Sequence, residues 1–374
     1  MRFLHTADWQ IGMKRHFLDE DAQSRFSDAR ETVIRRMGQV VQEYDCAFVV
    51  VAGDVFESNL LRPRTVQRAL DAMGAISVPV YLLPGNHDHL GPSTIYHSRE
   101  FIEGKPANVH VLDSDASVSV LDHVELVGVP WLAKQLVEDR VGNVVKRLPR
   151  LSGAFRVVIG HGATSSMGDS DVLGVIDIDL VEEAVRQNRV QYVALGDRHS
   201  TTSVGSTGRI WYAGAPEPTD YDETDSGQVL VVDLRSDSVE VKPVQVGTWR
   251  FVERVLDVQL NSAEMVLEQF LQGIPDKAHT IVKVNFRGAI SLNDQLRIVA
   301  SLDKWREIFG AIERHEHRDQ LAILPESGEF QDLSLSGYAE DALTQLIELA
   351  SRQDAEGQPY RDALALYYRL AKEG

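Results

Sequence analysis

The chain has 374 residues, enough for two or three domains with a core each, and its 43% hydrophobic and 25% charged residues are those of a globular protein, not a disordered or fibrous one. A net charge of −18 argues against non-specific coating of nucleic acid, because phosphate contacts are cationic. It leaves room for a nucleic-acid enzyme with a local basic groove or bound divalent cations.

The N-terminal Met1-Arg2-Phe3-Leu4-His5 reaches Asp8 without the apolar region of a signal peptide, and no run approaches a membrane span. Cys46 is the single cysteine and sits in an apolar run, so it reads as a small buried hydrophobe in a reducing compartment. A cytoplasmic protein without membrane contact is expected.

In chain order, Phe3 to Thr6 reads as a strand and Asp21 to Tyr44 as a long helix, with Phe26, Ala29, Val33, Met37, Val40 and Val41 at helical spacing. Cys46 to Ala52 is a second strand, Arg64 to Ile76 a helix and Val80 to Leu83 a third strand. This strand-helix alternation predicts a mainly parallel sheet with helices on its faces. Val109 to Leu112, Ser117 to Leu121 and Val124 to Val129 read as an antiparallel meander, followed by a helix over Lys134 to Leu148. Strands return at Phe155 to Ile159 and Val190 to Leu195 around a helix at Leu180 to Gln187. Trp211 to Pro216 and Gly227 to Leu234 are further strands, separated by the acidic, turn-rich Pro218 to Ser226.

A boundary is placed near Gly247. Residues 248–324 read as a small α/β module: strand Phe251 to Leu260, helix Ser262 to Gln272, strand Ala278 to Phe286 and helix Asn293 to Phe309. In residues 325–374, a polar linker from Pro325 to Gly337 leads to helical segments at Tyr338 to Ala350 and Tyr360 to Lys372.

Five apolar strands in residues 1–247 end in polar, metal-capable side chains. They deliver Asp8 and Gln10; Asp54 after Gly53; Asn86 and His87 in Gly85-Asn86-His87-Asp88; His161 in Gly160-His161-Gly162; and Asp197 and His199 in Gly196-Asp197-Arg198-His199. Ligands of open α/β sheets gather at the carboxyl ends of strands. Taken singly, Asp-x-Gln or Gly-Asp is an ordinary turn, and Gly-His-Gly an ordinary loop. Gly-Asn-His-Asp is more specific, and the five together point to a metal site. An oxygen and nitrogen donor set without thiolate suits Mn²⁺, Mg²⁺, Fe²⁺ or Zn²⁺ in an open site. Two ions ~4 Å apart need a shared carboxylate, for which Asp54 is the natural bridge. His5, His16, His89, His97, His110 and His123 read as surface or packing residues, and His315/His317 as solvated.

These motifs resemble the calcineurin-like metallophosphoesterase superfamily. Leu4-His5-Thr6-Ala7-Asp8-Trp9, Ala52-Gly53-Asp54-Val55-Phe56, Pro84-Gly85-Asn86-His87-Asp88 and Tyr212-Ala213-Gly214-Ala215-Pro216-Glu217 are most similar to its SbcD-type DNA repair exonucleases. The resemblance covers roughly residues 1 to 235. It implies a two-sheet αββα sandwich, a small α/β capping domain and C-terminal helices that grip an SMC-like ATPase. It implies a Mn²⁺-dependent 3′-to-5′ exonuclease on double-stranded DNA, with single-strand endonuclease activity, commonly homodimeric. It carries the first metal to Asp8, Gln10 and His199, the second to Asn86, His161 and Asp197, the bridge to Asp54 and phosphate contact to His87.

The chain departs from the family pattern at two ligands, with Gln10 and Asp197 where the family has histidine. Glu57 stands where some members carry a further histidine. Asp197 favours a harder ion such as Mn²⁺ or Mg²⁺. Other readings are a phosphoesterase acting on small nucleotides or phosphoprotein, and a degenerate nuclease that only docks DNA or a partner. Lys14-Arg15-His16 and Arg62-Pro63-Arg64 are candidate phosphate contacts, with a solvated basic surface as the alternative for each.

Overall fold

A long amphipathic helix and the strands either side of it set the pattern for the first half of the chain. The computed structural model describes residues 1–165, 174–324 and 337–350, with 359, 360 and 363. β1 (Arg2–Thr6), α1 (Glu20–Glu43), β2 (Val49–Val51), α2 (Pro63–Gly74), β3 (Val80–Leu82), α3 (Arg99–Gly104) and β4 (Val109–Val111) form a run in which β1 to β4 pair in parallel. Next come β5 (Ser117–Leu121), β6 (Val124–Gly128), α4 (Arg140–Arg147), β7 (Phe155–His161), α5 (Ile178–Arg186), β8 (Tyr192–Gly196), β9 (Thr202–Val204) and β10 (Ile210–Tyr212). β11 (Gln228–Leu234) and β12 (Val239–Gln245) return antiparallel to the edge of the first sheet.

Two six-stranded sheets result, in the orders β12-β11-β1-β2-β3-β4 and β5-β6-β7-β8-β10-β9. They share a core that includes Phe3, Val50, Ala52 and Leu83 from one sheet and Leu126, Val157, Ile159 and Ala194 from the other. The outer face of the first sheet packs on α1 and α2 through Val33, Ile34, Met37, Leu70 and Met73. That of the second packs on α4 and α5 through Val144, Val145 and Val181. Each fully buried Leu, Ile, Val, Met or Phe contributes about 1.5–3 kcal/mol relative to exposure. This is the two-sheet αββα sandwich that the family resemblance implies.

Several elements differ from the sequence expectation. The expected meander does not form, because β4 stays in the first sheet beside β3 while β5 and β6 open the second. Only β5–β6 is antiparallel, and β6 runs parallel to β7. The helix expected from Lys134 begins at Arg140, where the Asp139 carboxylate accepts from Gly142 N at 2.7 Å and from Asp177 N at 3.0 Å. The ladder of β2 is only three residues long. β9 and β12 lie outside the expected strands. On α1 the buried side chain is Arg30, not Ala29.

Contacts divide the chain into two compact units, Met1–His16 with Glu20–Trp249, and Phe17–Asp19 with Arg250 onward. The second contains β13 (Arg250–Val258), α6 (Ala263–Gly273), β14 (Thr280–Ser291), α7 (Leu292–Arg306), β15 (Ala311–Glu313), β16 (Gln320–Leu324) and α8 (Tyr338–Ala350). β13, β15 and β16 all pair in parallel with β14, and α6 and α7 cover a core that includes Leu267, Leu271, Phe286 and Trp305. β15 and β16 are additions to the strand-helix-strand-helix pattern expected of this region. The expected linker from Pro325 and the helix from Tyr360 to Lys372 lie almost wholly outside the described residues. Among the described residues no helix is long and apolar enough to cross a membrane.

His5 in β1 is fully buried, with Nδ1 3.0 Å from the Tyr192 hydroxyl and Nε2 3.3 Å from the Leu195 carbonyl. Burial depresses its pKa from 6.5 to about 3, against the opposing pull of the Leu195 carbonyl. The unfolded chain therefore binds more protons than the folded one between those values, so stability falls as pH drops below 6.5 and is unaffected above it. Between 6.5 and about pH 5 this amounts to about 2 kcal/mol. Denaturant unfolding of the metal-free protein at both ends of that window should show a smaller loss in His5→Asn than in wild type. An equal loss in the two proteins would place the acid sensitivity elsewhere.

Candidate metal centre

The carboxyl ends of β1, β2, β3, β7 and β8 meet at one edge of the sandwich. The segments after β1 and β2 run side by side, with Asp8 N bonded to Gly53 O (3.0 Å), Gln10 N to Asp54 O (2.9 Å) and Ile11 N to Val55 O (3.0 Å). Asp8, Gln10, Asp54 and Asp197 all adopt left-handed backbone, with φ of 52°, 44°, 52° and 98°. Non-glycine residues hold such conformations at a cost of about 1–3 kcal/mol each and only where surrounding structure enforces them. These four left-handed residues all lie in the segments that follow the converging strands.

Two glycines permit the close approach. A Cβ at Gly53, itself at φ 97°, would lie 2.0 Å from His161 Nδ1, and one at Gly85 would lie 2.2 Å from Asp54 Oδ1.

His161, the last residue of β7, is buried. Its Nδ1 lies 2.8 Å from the Ala52 carbonyl, which requires a proton on Nδ1. Nε2 then faces Asn86 Oδ1 at 2.7 Å, Asp54 Oδ1 at 3.5 Å and Asp197 Oδ1 at 3.7 Å. A lone pair among three oxygens is repulsive unless a cation or a proton stands between them. Burial alone would lower the His161 pKa, but Asp54, Asp197 and Asp8 carry it well above the ordinary value. Asp8, Asp54 and His161 can each offer a ligand atom within 4.8 Å of the others.

On the other side, His199 Nε2 lies 3.1 Å from Gln10 Nε2. Gln10 Oε1 is buried and has no hydrogen-bond partner. The Asp8 carboxylate accepts from Asp197 N at 3.0 and 3.2 Å. Burial drives Asp8 up to about 7 against the pull of His199 and His161. Burial also pushes Asp54 up, but His161 and His87 more than offset it, and the carboxyl ends below its ordinary value. His199 is pushed down by burial and lifted, by the bond to Glu223 and the charge of Asp8, to about 9. Three carboxylates and two imidazole nitrogens facing one space, with the Gln10 amide beside His199, form a donor set that fits divalent cations.

All seven residues expected to ligate metal thus fall in one cluster. His87 sits at its rim, with Nδ1 3.0 Å from the Glu57 carbonyl and Nε2 3.9 Å from Asp54 Oδ2. Asp88 does not face the cluster. It is fully buried, and its carboxylate accepts from Gly85 N (2.7 Å), Phe56 N (3.1 Å) and the Tyr96 hydroxyl (2.6 Å), tying the turn after β3 to the segment after β2.

Arg15, one of the expected phosphate contacts, donates instead to the Thr219 carbonyl and lies 3.9 Å from Asp220. Arg62 and Arg64 are exposed at the start of α2, and Arg64 lines a shallow depression with Gln67, Glu100 and Glu103. Cys46 is buried and its thiol is pushed up to about 11 by burial, which is the state of an inert packing residue.

The sequence profile of the calcineurin-like phosphoesterase family matches residues 1–217. The chain belongs to that family. It is a metal-dependent phosphoesterase of a family that uses a dimetal centre. It is 22% identical over 259 residues to a subunit of the nuclease SbcCD of Escherichia coli K12, covering 60% of this chain and 62% of that protein. The match thus spans a little under two thirds of that relative's length. The chain is 24% identical over 383 residues to the DNA double-strand break repair protein Mre11 of Archaeoglobus fulgidus, covering 90% of this chain and 79% of that one. Among solved structures it is similar to a dimetal phosphatase from Danio rerio, with a TM-score of 0.42 and 14% identity over 65% of this chain and 96% of that chain.

Proposed function

We propose that the chain is the nuclease subunit of a DNA-end-processing pair: a Mn²⁺-dependent 3′-to-5′ exonuclease on double-stranded DNA, with single-strand endonuclease activity, acting in repair and recombination. The observation that supports this best is the convergence of five strand ends on Asp54, in a chain similar to two DNA-break nucleases. In this reading Asp8, Gln10 and His199 hold one ion, Asn86, His161 and Asp197 the other, and Asp54 bridges. When bound, the ions polarise the phosphoryl oxygen and acidify a water.

The protein's own part is to position and to move a proton. His161 is fixed through the Ala52 carbonyl, so only Nε2 is presented. His87 is held at Nδ1 by the Glu57 carbonyl, and in its protonated form Nε2–H is the donor available to the leaving oxygen. The same reading gives the C-terminal helices an SMC-like ATPase as partner, makes a homodimer the working form and places the protein in the cytoplasm.

Labelled linear duplex incubated with Mn²⁺ tests the substrate class. Wild type should shorten it from the 3′ ends, and His87→Ala should be slower by about 10²- to 10⁴-fold, the usual size of a general-acid contribution. Hydrolysis of p-nitrophenyl phosphate with the duplex left intact would favour a small substrate instead. Hydrolysis of neither would favour a docking module, the reading that Gln10 and Asp197 keep open.

A further inference from the structure

The segment Pro218 to Ser226, which in sequence is only an acidic turn between strands, lies behind one of the candidate ligands. Glu223 reaches back from it with its side chain only 4% exposed. Its carboxylate accepts from Thr219 N (3.0 Å to each oxygen), Asp220 N (3.1 Å) and the Thr219 hydroxyl. It also stands 3.0 Å from His199 Nδ1. Thr219 Oγ1 is 2.6 Å from the same nitrogen and has given its own hydrogen to Glu223, so it too can only accept from the ring. Both neighbours of Nδ1 are therefore acceptors, the proton must be on Nδ1, and Nε2 is left to face Gln10.

The segment is itself held in place. The buried Arg30 guanidinium donates to the Glu217 and Pro218 carbonyls at 3.0 Å each. The Glu217 carboxylate accepts from Thr248 N (2.9 Å) and Trp249 N (3.0 Å).

We propose that Glu223, with Thr219, is a positioning pair that fixes the tautomer and orientation of His199 for metal binding, and that its buried charge compensates for the weak amide donor at Gln10. A carboxylate behind a ligating imidazole raises the basicity of the ligand, and losing such a partner typically weakens metal binding about 10- to 100-fold. With Gln10 in place of an imidazole, His199 is the only imidazole of its set, so its basicity matters more there than in a site with two. The inference rests on the proposed role of His199 as a ligand.

Calorimetric titration of the metal-stripped full chain with Mn²⁺ separates the possibilities. Wild type should bind two ions. Glu223→Ala should weaken one of them about 10- to 100-fold and leave the other within a few-fold. Glu223→Gln keeps an acceptor for Nδ1–H without the charge, so it should fall between the two. It is nearly isosteric, and serves if the alanine variant does not fold. Two ions bound with wild-type affinity in both variants would overturn the inference. So would equal weakening of both ions, which is the mark of general structural damage. No Mn²⁺ bound by wild type would instead overturn the assignment of the metal centre itself.

Discussion

Asp54→Asn should abolish phosphodiester hydrolysis while leaving the fold intact. The carboxylate lies 3.5 Å from His161 Nε2, in one proposed ligand group, and 3.9 Å from the rim residue His87 Nε2, where the proposed bridge would stand. Lewis-acid stabilisation of a transition state is worth several kcal/mol, and about 1.4 kcal/mol is tenfold in rate, so a loss of three decades or more in turnover is expected. An amide keeps the volume, and its oxygen can still accept from His87 N, which the carboxylate does now at 3.0 Å. It removes the charge that His161 and His87 favour, the reason the carboxyl lies below its ordinary value, so the metal-free protein should lose some stability while remaining folded. Retention of more than about a tenth of wild-type turnover, measured with saturating Mn²⁺, is incompatible with a bridging carboxylate.

Asp88→Ala should act on stability instead. It strands three donors in the interior: Gly85 N, Phe56 N and the Tyr96 hydroxyl. A buried donor left without a partner costs about 1–3 kcal/mol. Part of this is returned because the carboxyl is itself uncomfortable; burial, with the nearby charge of Asp54, pushes it up to about 6. A net loss of about 3 kcal/mol and a drop of about 10 °C in melting temperature are expected. Activity should fall as well, since Asn86 and His87 lie on the turn that Asp88 clamps. Asp88→Asn, which keeps one acceptor, should lose less. A melting temperature of Asp88→Ala within a degree or two of wild type would show that the clamp carries no energy.

The two substitutions also mark what was legible in the sequence. Strand ends that deliver Asp54, Asn86, His161 and His199 could be read because an apolar run, a glycine and a polar side chain occur in local order. The division between residues that hold an ion and residues that hold the loops could not. Asp88 and His87 are adjacent in one motif, yet one clamps the backbone and the other faces the rim. Arg30 lies in a helical stretch where apolar periodicity points to Ala29, and its burial rests largely on carbonyls almost two hundred residues away, with the Met13 sulfur and the Phe26 ring beside it. Glu223 was hidden for the same reason: its partner His199 is 24 residues distant, and nothing local distinguishes it from the other acids of its turn. β4 reads as the start of a meander because its short apolar run says nothing of which sheet it joins.

The most direct test of the dimetal account is a count of ions. Wild type and Asp54→Asn, dialysed against millimolar Mn²⁺ and then briefly desalted, would be measured by plasma mass spectrometry. Two Mn²⁺ per wild-type chain and fewer in the variant is the expected result. No bound Mn²⁺ in wild type would contradict it, and the cluster around Asp54 would then be a buried network of charges held together by protonated histidines.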